Sequence, residues 1–173
     1  MITQGKIGKY LEGGDLRSKG KVESLIPLIK DQKDFDILFG QLYSIKRIVV
    51  MRAADAMEKL TIGNPGYLGS HKNELLTFLG SAKNKELKWH LASLVSRLSL
   101  TRDELEIVFA KLRKWARDPL ESKIVRVNSL QAIFELIHQD QGLEKEFNSL
   151  VKELEKEGVP SINSRIRKIK NKA

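Results

Sequence analysis

The chain has 173 residues, 41% of them hydrophobic, which predicts one globular domain, residues 1–173, rather than general disorder. The absence of cysteine excludes disulfides, thiolate metal sites and cysteine nucleophiles, and it favours the cytoplasm as the compartment. Lysine and arginine exceed aspartate and glutamate by 31 to 22, and the net charge of +9 favours encounters with polyanions. No segment approaches the roughly 18 uncharged apolar residues of a membrane span, so we expect neither a span nor an export signal.

Apolar residues recur at spacings of three and four from about residue 21 onward, which predicts an all-α chain. An N-terminal segment, residues 1–20, precedes the first predicted helix. The predicted helices span residues 22–31, 34–46, 49–61, 71–83, 86–99, 102–117, 121–139, 143–157 and 161–171.

Local signals support these boundaries. Asn64-Pro65-Gly66, Asp118-Pro119 and Gly158-Val159-Pro160 are typical helix stops, and Thr101 with Glu104 forms a capping box. The connections between helices are short, which predicts antiparallel helix pairs.

The second helices of three pairs share one register with a period of 38 residues. Ala56, Met57 and Leu60 correspond to Leu94, Val95 and Leu98, and then to Ala132, Ile133 and Leu136. Their partner helices carry apolar sets at helical spacing: Leu38, Leu42 and Ile45; Leu75, Phe78 and Leu79; Leu105, Val108, Phe109 and Leu112. Residues 34–140 therefore form the core repeats, and the polar pair within 143–173 is a degenerate capping repeat with a basic tail.

Two runs resemble the second-helix motif of HEAT repeats, Val-Arg-x-Ala-Ala-x-x-Ala-Leu. They are VVMRAADAM, residues 49–57, and the run from Ile124-Val125-Arg126 to Ala132-Ile133. The resemblance implies an all-α, right-handed α-α superhelix of about four helix pairs that acts as a non-catalytic binding scaffold. The alanines let stacked helices approach closely.

A helical wheel separates core positions from a face that we expect on the concave side of the superhelix. At about 100° per residue, Val49, Ala53 and Met57 face the core and Met51 points away from it. This expected face, with a hot spot centred on Trp89, binds a protein partner. Its residues are Met51, Arg52, Trp89, His90, Arg97, Val127, Asn128, Gln131 and Phe134. Packing of Trp89 under a neighbouring segment is the structural alternative.

A basic edge at the turns and in the tail supports a second hypothesis, the binding of nucleic acid or another polyanion. Its residues are Arg47, Lys85, Lys88, Lys123, Arg126, Arg165, Arg167 and Lys168. A solvated edge without a ligand is the alternative interpretation.

Catalytic patterns are weak. The three histidines share no metal-ligand spacing, and the sequence has no phosphate loop or nucleophile elbow, so we expect no metal, no cofactor and no enzyme activity. One remote alternative comes from fold analogy with alkylpurine DNA glycosylases, which are built on HEAT-like repeats. Trp89, Trp115 and Asp118 offer the residue types that such an enzyme uses.

Overall fold

A computed structural model describes residues 2–14 and 20–172. Over these ranges the chain is all α-helical and contains no β-strand, as predicted. It forms two compact units that divide between His71 and Lys72. The single-domain assignment stays a prediction.

The N-terminal unit is organised around one long helix. Its α-helices are α1 (Gln4–Leu11), α2 (Val22–Leu25), α3 (Gln32–Phe39) and α4 (Arg47–Gly63), with 3-10 turns at Ile26–Leu28, Gly40–Tyr43 and Pro65–His71. Helices α1, α2 and α3 all pack against α4. Helix α4 is therefore covered on several sides, which explains its three buried alanines, Ala53, Ala54 and Ala56.

Three features of this unit differ from the sequence prediction. The helix predicted at 22–31 is shorter, because α2 ends at Leu25 and the 3-10 turn after it ends at Leu28. The N-terminal segment contains helix α1, whose only buried side chains are Ile7 and Leu11. Two apolar residues one turn apart do not establish a helical period. The helix predicted at 34–46 becomes a 3-10 turn at Gly40 and ends at Tyr43, so Ile45 lies in the following turn and is 100% exposed instead of buried.

The C-terminal unit consists of three antiparallel helix pairs. They are α5 (Lys72–Ser81) with α6 (Lys85–Val95), α7 (Arg102–Arg117) with α8 (Lys123–Leu136), and α9 (Glu144–Lys156) with α10 (Pro160–Lys170). The first helices pack as one layer, and α8 lies between α6 and α10 in the second. Together with the pairs α1/α2 and α3/α4, the described residues contain five pairs, one more than the prediction.

The predicted capping signals form as expected. Thr101 Oγ1 accepts a hydrogen bond from Glu104 N–H, and the Glu104 carboxylate accepts one from Thr101 N–H. Hydrogen bonds to this carboxylate from Lys72 and from Thr101 N–H lower the pKa of Glu104. Gly158 has a φ of 69° between α9 and α10, a left-handed conformation that glycine adopts at little cost. These local signals set the helix ends.

Burial confirms the 38-residue register. The nine core positions of that register, from Ala56 to Leu136, are all buried. Leu98 lies beyond the end of α6 at Val95 and is still buried. The capping pair is also well packed, because Leu150 and Leu154 of α9 meet a buried stripe of isoleucines, Ile162, Ile166 and Ile169, on α10.

Among the described residues, each unit has a buried arginine that donates to a carbonyl oxygen at the end of another helix. In the N-terminal unit, Arg52 is 1% exposed and donates hydrogen bonds from one guanidinium nitrogen to the Leu11 and Glu12 carbonyls, at 2.9 and 3.0 Å. In the C-terminal unit, Arg126 is 4% exposed and donates from Nε to the Ala116 carbonyl at 2.8 Å. A cation at a helix C-terminus is favourable, because the carbonyls there have no intrahelical partner.

Candidate partner-binding face

The candidate face, which we call the second-helix face, is the outer side of α6 and α8 in the C-terminal unit. Six residues predicted for partner binding lie here, all of them half-buried: Trp89, Arg97, Val127, Asn128, Gln131 and Phe134. They share this face because α6 and α8 pack side by side and the six positions point away from the buried register residues Val95 and Ile133. Half-buried positions of mixed polarity suit a protein-binding surface.

A chain of hydrogen bonds crosses this face and connects three helices. Ser96 Oγ, at the end of α6, donates to Glu135 Oε2 at 2.6 Å, and Gln131 Nε2 donates to Glu135 Oε1 at 3.0 Å. On the other side, Arg165 of α10 donates to Gln131 Oε1 at 2.9 Å. These hydrogen bonds connect α6, α8 and α10 across the face.

A groove of about 590 Å³ lies at the C-terminal end of α8. Its lining includes two large apolar side chains, Phe134 and Ile137, and two carboxylates, Glu135 and Glu144. Its other lining residues are Ser96, His138 and Gln141. The Phe134 ring also contacts Phe147 of α9, with 6.0 Å between the ring centroids. The lining of the groove thus combines apolar side chains with two carboxylates.

Of the residues that line this groove, the sequence predicted only Phe134 as a partner-binding residue. Residues 121–139 were expected to form one continuous helix, but α8 ends at Leu136 and two 3-10 turns follow, Ile137–Gln139 and Gln141–Leu143. The turns bring Ile137 and Glu144 beside Phe134. The sequence signal for such a break is Asp140-Gln141-Gly142, where the Asp140 carboxylate accepts the Gly142 N–H in a tight turn.

Three residues predicted for the partner-binding face are buried instead. Met51 and Arg52 belong to α4, where α1 and α2 cover the side that the helical wheel assigned to solvent. Arg52 serves the carbonyls of α1 and cannot contact a partner at the surface. His90 is 5% exposed, and its ring lies edge-on to the Trp89 ring. For these three the prediction of a surface role is wrong.

Trp89 is half-buried, so it is neither a core tryptophan nor a freely exposed one. Its ring meets the His90 ring edge-on, with 5.0 Å between the centroids. The indole Nε1 atom is buried and has no hydrogen-bond partner within the described part of the chain. A buried unsatisfied donor is unfavourable, so Trp89 is a weak point in the packing of this surface.

Two residues of the predicted basic edge, Lys88 and Arg126, form ion pairs within the chain. Lys88 forms an ion pair with Glu121 and lies 5.6 Å from the centroid of the Trp115 ring. Arg126, one repeat later, forms an ion pair with Glu157 at 2.6 Å. These repeat-related pairs connect each second helix to the turn of the next helix pair, so Lys88 and Arg126 stabilise the stack and are not a surface for polyanions.

The other basic positions remain at the surface. Lys85 and Lys123 are exposed at the first residues of α6 and α8, and Arg167 and Lys168 are exposed on α10. Arg165 is half-buried and bonded to Gln131, and Arg47 is exposed in the N-terminal unit. Lys85 and Lys123 lie at helix N-termini, where the helix dipole does not favour a cation. Lys85 and Lys123 therefore do not stabilise a helix C-terminus, which is the role that the alternative of a solvated edge gives to such residues.

The residues of the glycosylase analogy do not form a base-binding pocket. Trp115 is 4% exposed, and its ring has Lys88 on one side and Lys111, at 5.4 Å from the centroid, close by. Burial, followed by the nearby charge of Lys114, lowers the pKa of Lys111. The Asp118 carboxylate accepts the Leu120 N–H at 2.9 Å. A covered tryptophan cannot stack on an extruded base.

No group of three or more histidines, aspartates and glutamates within residues 2–14 and 20–172 has the arrangement of a metal site. Over the same residues, no helix combines the length and apolar character that a membrane crossing requires.

Comparison with known proteins agrees with the helix pairs and their register. The family model described as a HEAT repeat domain matches residues 15–173. No curated protein and no solved structure matches the chain. Proteins of the HEAT kind are typically non-catalytic interaction scaffolds. With a family match over nearly its whole length, and with the second helices of three pairs repeating every 38 residues, the chain belongs to the HEAT-repeat family.

Proposed function

We propose that this protein is a non-catalytic scaffold that binds a protein partner through the second-helix face of its C-terminal unit. The observation that carries the proposal is the groove beside Phe134, whose lining includes the apolar side chains of Phe134 and Ile137. Aromatic residues at the centre of a recessed surface are typical anchors of protein interfaces. The cysteine-free composition fits a reducing compartment such as the cytoplasm.

The chemistry of the groove points to a particular kind of partner. Its lining combines the apolar Phe134 and Ile137 with the carboxylates of Glu135 and Glu144, in a chain whose net charge is +9. Complementarity therefore favours a segment that inserts an aliphatic or aromatic side chain and carries lysine or arginine beside it. An amphipathic helix with basic flanks has this pattern.

The half-buried row from Trp89 through Val127 to Gln131 extends the contact surface beyond the groove. The hydrogen bonds Ser96–Glu135, Gln131–Glu135 and Arg165–Gln131 hold this row in place. A partner that covers both the groove and the row would give Trp89 the role of a second anchor.

The alternative ligand is a polyanion on the exposed cations Lys85, Lys123, Arg167 and Lys168. These four remain exposed, whereas Lys88 and Arg126 are engaged in ion pairs within the chain. Salt separates the two functions, because phosphate contacts make affinity fall steeply with ionic strength and an apolar anchor responds little.

The test uses a labelled helical peptide with leucines on one face and lysines on the other, and a second peptide in which glutamate replaces every lysine. Fluorescence anisotropy should show binding of the basic peptide to the full chain and no binding of the acidic one. We expect Phe134→Ala and Glu144→Lys each to weaken binding by about tenfold or more. Trp89→Ala should weaken binding while leaving the free energy of unfolding within about 1 kcal/mol of wild type.

Asp103→Lys is the matched control for Glu144→Lys, because Asp103 is an exposed acid in the first turn of α7 and the charge change is the same. It should leave peptide affinity within about twofold of wild type. Equal losses in the two charge reversals would show that only net charge matters. Unchanged affinity in Phe134→Ala would remove the groove as the binding site.

A further inference from the structure

A second recess lies in the N-terminal unit. It is a cavity of about 680 Å³ between helix α1 and the residue that precedes α2. Its lining residues are Thr3, Gly5, Lys6, Lys9, Tyr10 and Lys21. The volume is in the range of small-ligand sites.

The charged side chains that line this cavity within the described residues are all lysines. Lys6, Lys9 and Lys21 are exposed, and none of them forms an ion pair within the described residues. No acidic side chain of the described residues lines the cavity. Among the described acids near it in sequence, Glu12 pairs with Lys46 at 2.7 Å and Glu23 pairs with Lys59. Three ammonium groups around one recess, none of them in an ion pair with a described residue, attract a multivalent anion.

The helical side of the cavity is left open by a glycine. A Cβ on Gly5 would meet no atom within 4 Å, so packing does not account for glycine at this position. Glycine is unfavourable within a helix, and here its effect is to leave space on the wall that also presents Lys6 and Lys9. The hydroxyls of Thr3 and Tyr10 provide hydrogen-bonding groups on the same lining.

We propose that this cavity binds a ligand bearing several phosphate groups. Lysine ammonium groups on flexible stems suit phosphate, because each acts as a point charge that can follow a non-planar anion. A bound ligand would bridge α1 and the start of α2, two elements that both pack on α4. The phosphates can belong to a soluble compound or to the headgroup of a lipid, and the two sources share this chemistry.

Isothermal titration calorimetry of the full chain with inositol hexakisphosphate and with pyrophosphate tests the proposal. The triple variant Lys6→Gln/Lys9→Gln/Lys21→Gln should bind inositol hexakisphosphate at least about tenfold more weakly than wild type. The control Lys33→Gln/Lys152→Gln/Lys156→Gln removes the same charge from exposed positions outside the cavity and should change affinity by less than about threefold. Equal losses in the two triple variants would overturn the proposal, because they would show binding by net charge alone.

A second variant tests the cavity itself without changing charge. Gly5→Leu places a side chain in the open space and should weaken inositol hexakisphosphate binding while the thermal melt of the protein stays unchanged or rises. Retained affinity in Gly5→Leu would place the anion outside the cavity and overturn the assignment.

Sedimentation with phosphatidylcholine vesicles, with and without a phosphoinositide, distinguishes the source of the phosphates. Binding to phosphoinositide vesicles that is lost in the lysine triple variant assigns a lipid headgroup. Calorimetric binding without vesicle binding assigns a soluble ligand. Failure to bind inositol hexakisphosphate, pyrophosphate and both vesicles overturns the proposal.

Discussion

The guanidinium of Arg52 lies directly against Gly20, so that a Cβ on Gly20 would come within 2.7 Å of Arg52 Cζ. The same guanidinium donates hydrogen bonds to the carbonyls of Leu11 and Glu12 at the end of α1. One buried cation thus joins α1 to α4, and glycine at position 20 leaves room for it. Gly20 also has a φ of 57°, a conformation that other residues adopt at a cost.

Gly20→Ala should destabilise the protein through both effects. The left-handed conformation costs about 1–2 kcal/mol, and displacement of the guanidinium adds about 1–3 kcal/mol. Gly13→Ala is the matched control, because Gly13 has a φ of 79° but open space around its Cα. Urea denaturation should show the larger loss in Gly20→Ala. Equal losses in the two variants would show that Arg52 moves aside freely.

Arg126→Met should reduce the free energy of unfolding by about 1–3 kcal/mol, because the Ala116 carbonyl at the end of α7 loses its donor. Glu157→Gln should reduce the free energy of unfolding by less, because the hydrogen bond from Arg126 to the Ala116 carbonyl remains. Lys123→Met, an exposed position on the same helix, should stay within about 0.5 kcal/mol of wild type. A melt of Arg126→Met that matches the Lys123→Met melt would argue against a structural role for the buried arginine.

Ala56→Leu should overpack helix α4 and destabilise the protein by about 1–3 kcal/mol, since Ala56 is fully buried. Ala110→Leu provides the comparison at an exposed position of α7, where the larger side chain has space and should change stability by less than about 0.5 kcal/mol. Thermal denaturation followed by circular dichroism measures both variants. An Ala56→Leu protein as stable as wild type would mean that Ala56 is not at a close helix contact.

Asp34 should contribute to the pH dependence of stability. Hydrogen bonds from the Ile2 N–H, at 2.8 Å, and from the Lys30 N–H lower its pKa below that of an unfolded aspartate, about 3.9. A lowered folded-state pKa stabilises the protein above the unfolded pKa, and this contribution is lost as the pH falls through the folded pKa. Asp34→Asn should therefore be less stable than wild type at pH 7.

The difference between Asp34→Asn and wild type should narrow below about pH 4, as Asp34 of the wild type becomes protonated. Urea denaturation at several pH values measures it. Asp103→Asn, at an exposed carboxylate of α7, should differ less from wild type at pH 7 than Asp34→Asn does. A constant difference between Asp34→Asn and wild type down to about pH 2 would contradict the role of the Asp34 charge.

Sequence periodicity predicted the fold class, because the buried face of a helix requires apolar residues at spacings of three and four. The core positions from Ala56 to Leu136 recur with the period of 38 residues, and each of them is buried. Helix ends were equally predictable where the signal is local, as in the capping box of Thr101 and Glu104. Short-range spacing and capping depend only on neighbours in the chain, so they can be read before the chain folds.

The candidate site was predicted less completely, because exposure depends on what covers a helix. The helical wheel placed Phe134 and Val127 on an outer face, where they are half-buried, and it placed Met51 and Arg52 there too. The latter two are buried because α1, which has only two core residues, packs with α2 on α4. Helix α1 has a weak sequence signal, but its packing contributes to the burial of Met51 and Arg52.

By itself, the sequence determined the all-α class, the repeat register and most helix ends, since these follow from residue spacing and from contacts within one helical turn. The tertiary structure alone decided which charges are internal. Arg126 and Lys88 look like surface cations in the sequence, but each meets a carboxylate from the turn of the next helix pair. The tertiary structure also determined which residues line the groove, because α8 ends at Leu136 and Glu144 lies beside Phe134. Such pairings join residues about ten to forty positions apart, and only the packing of helix against helix brings them together.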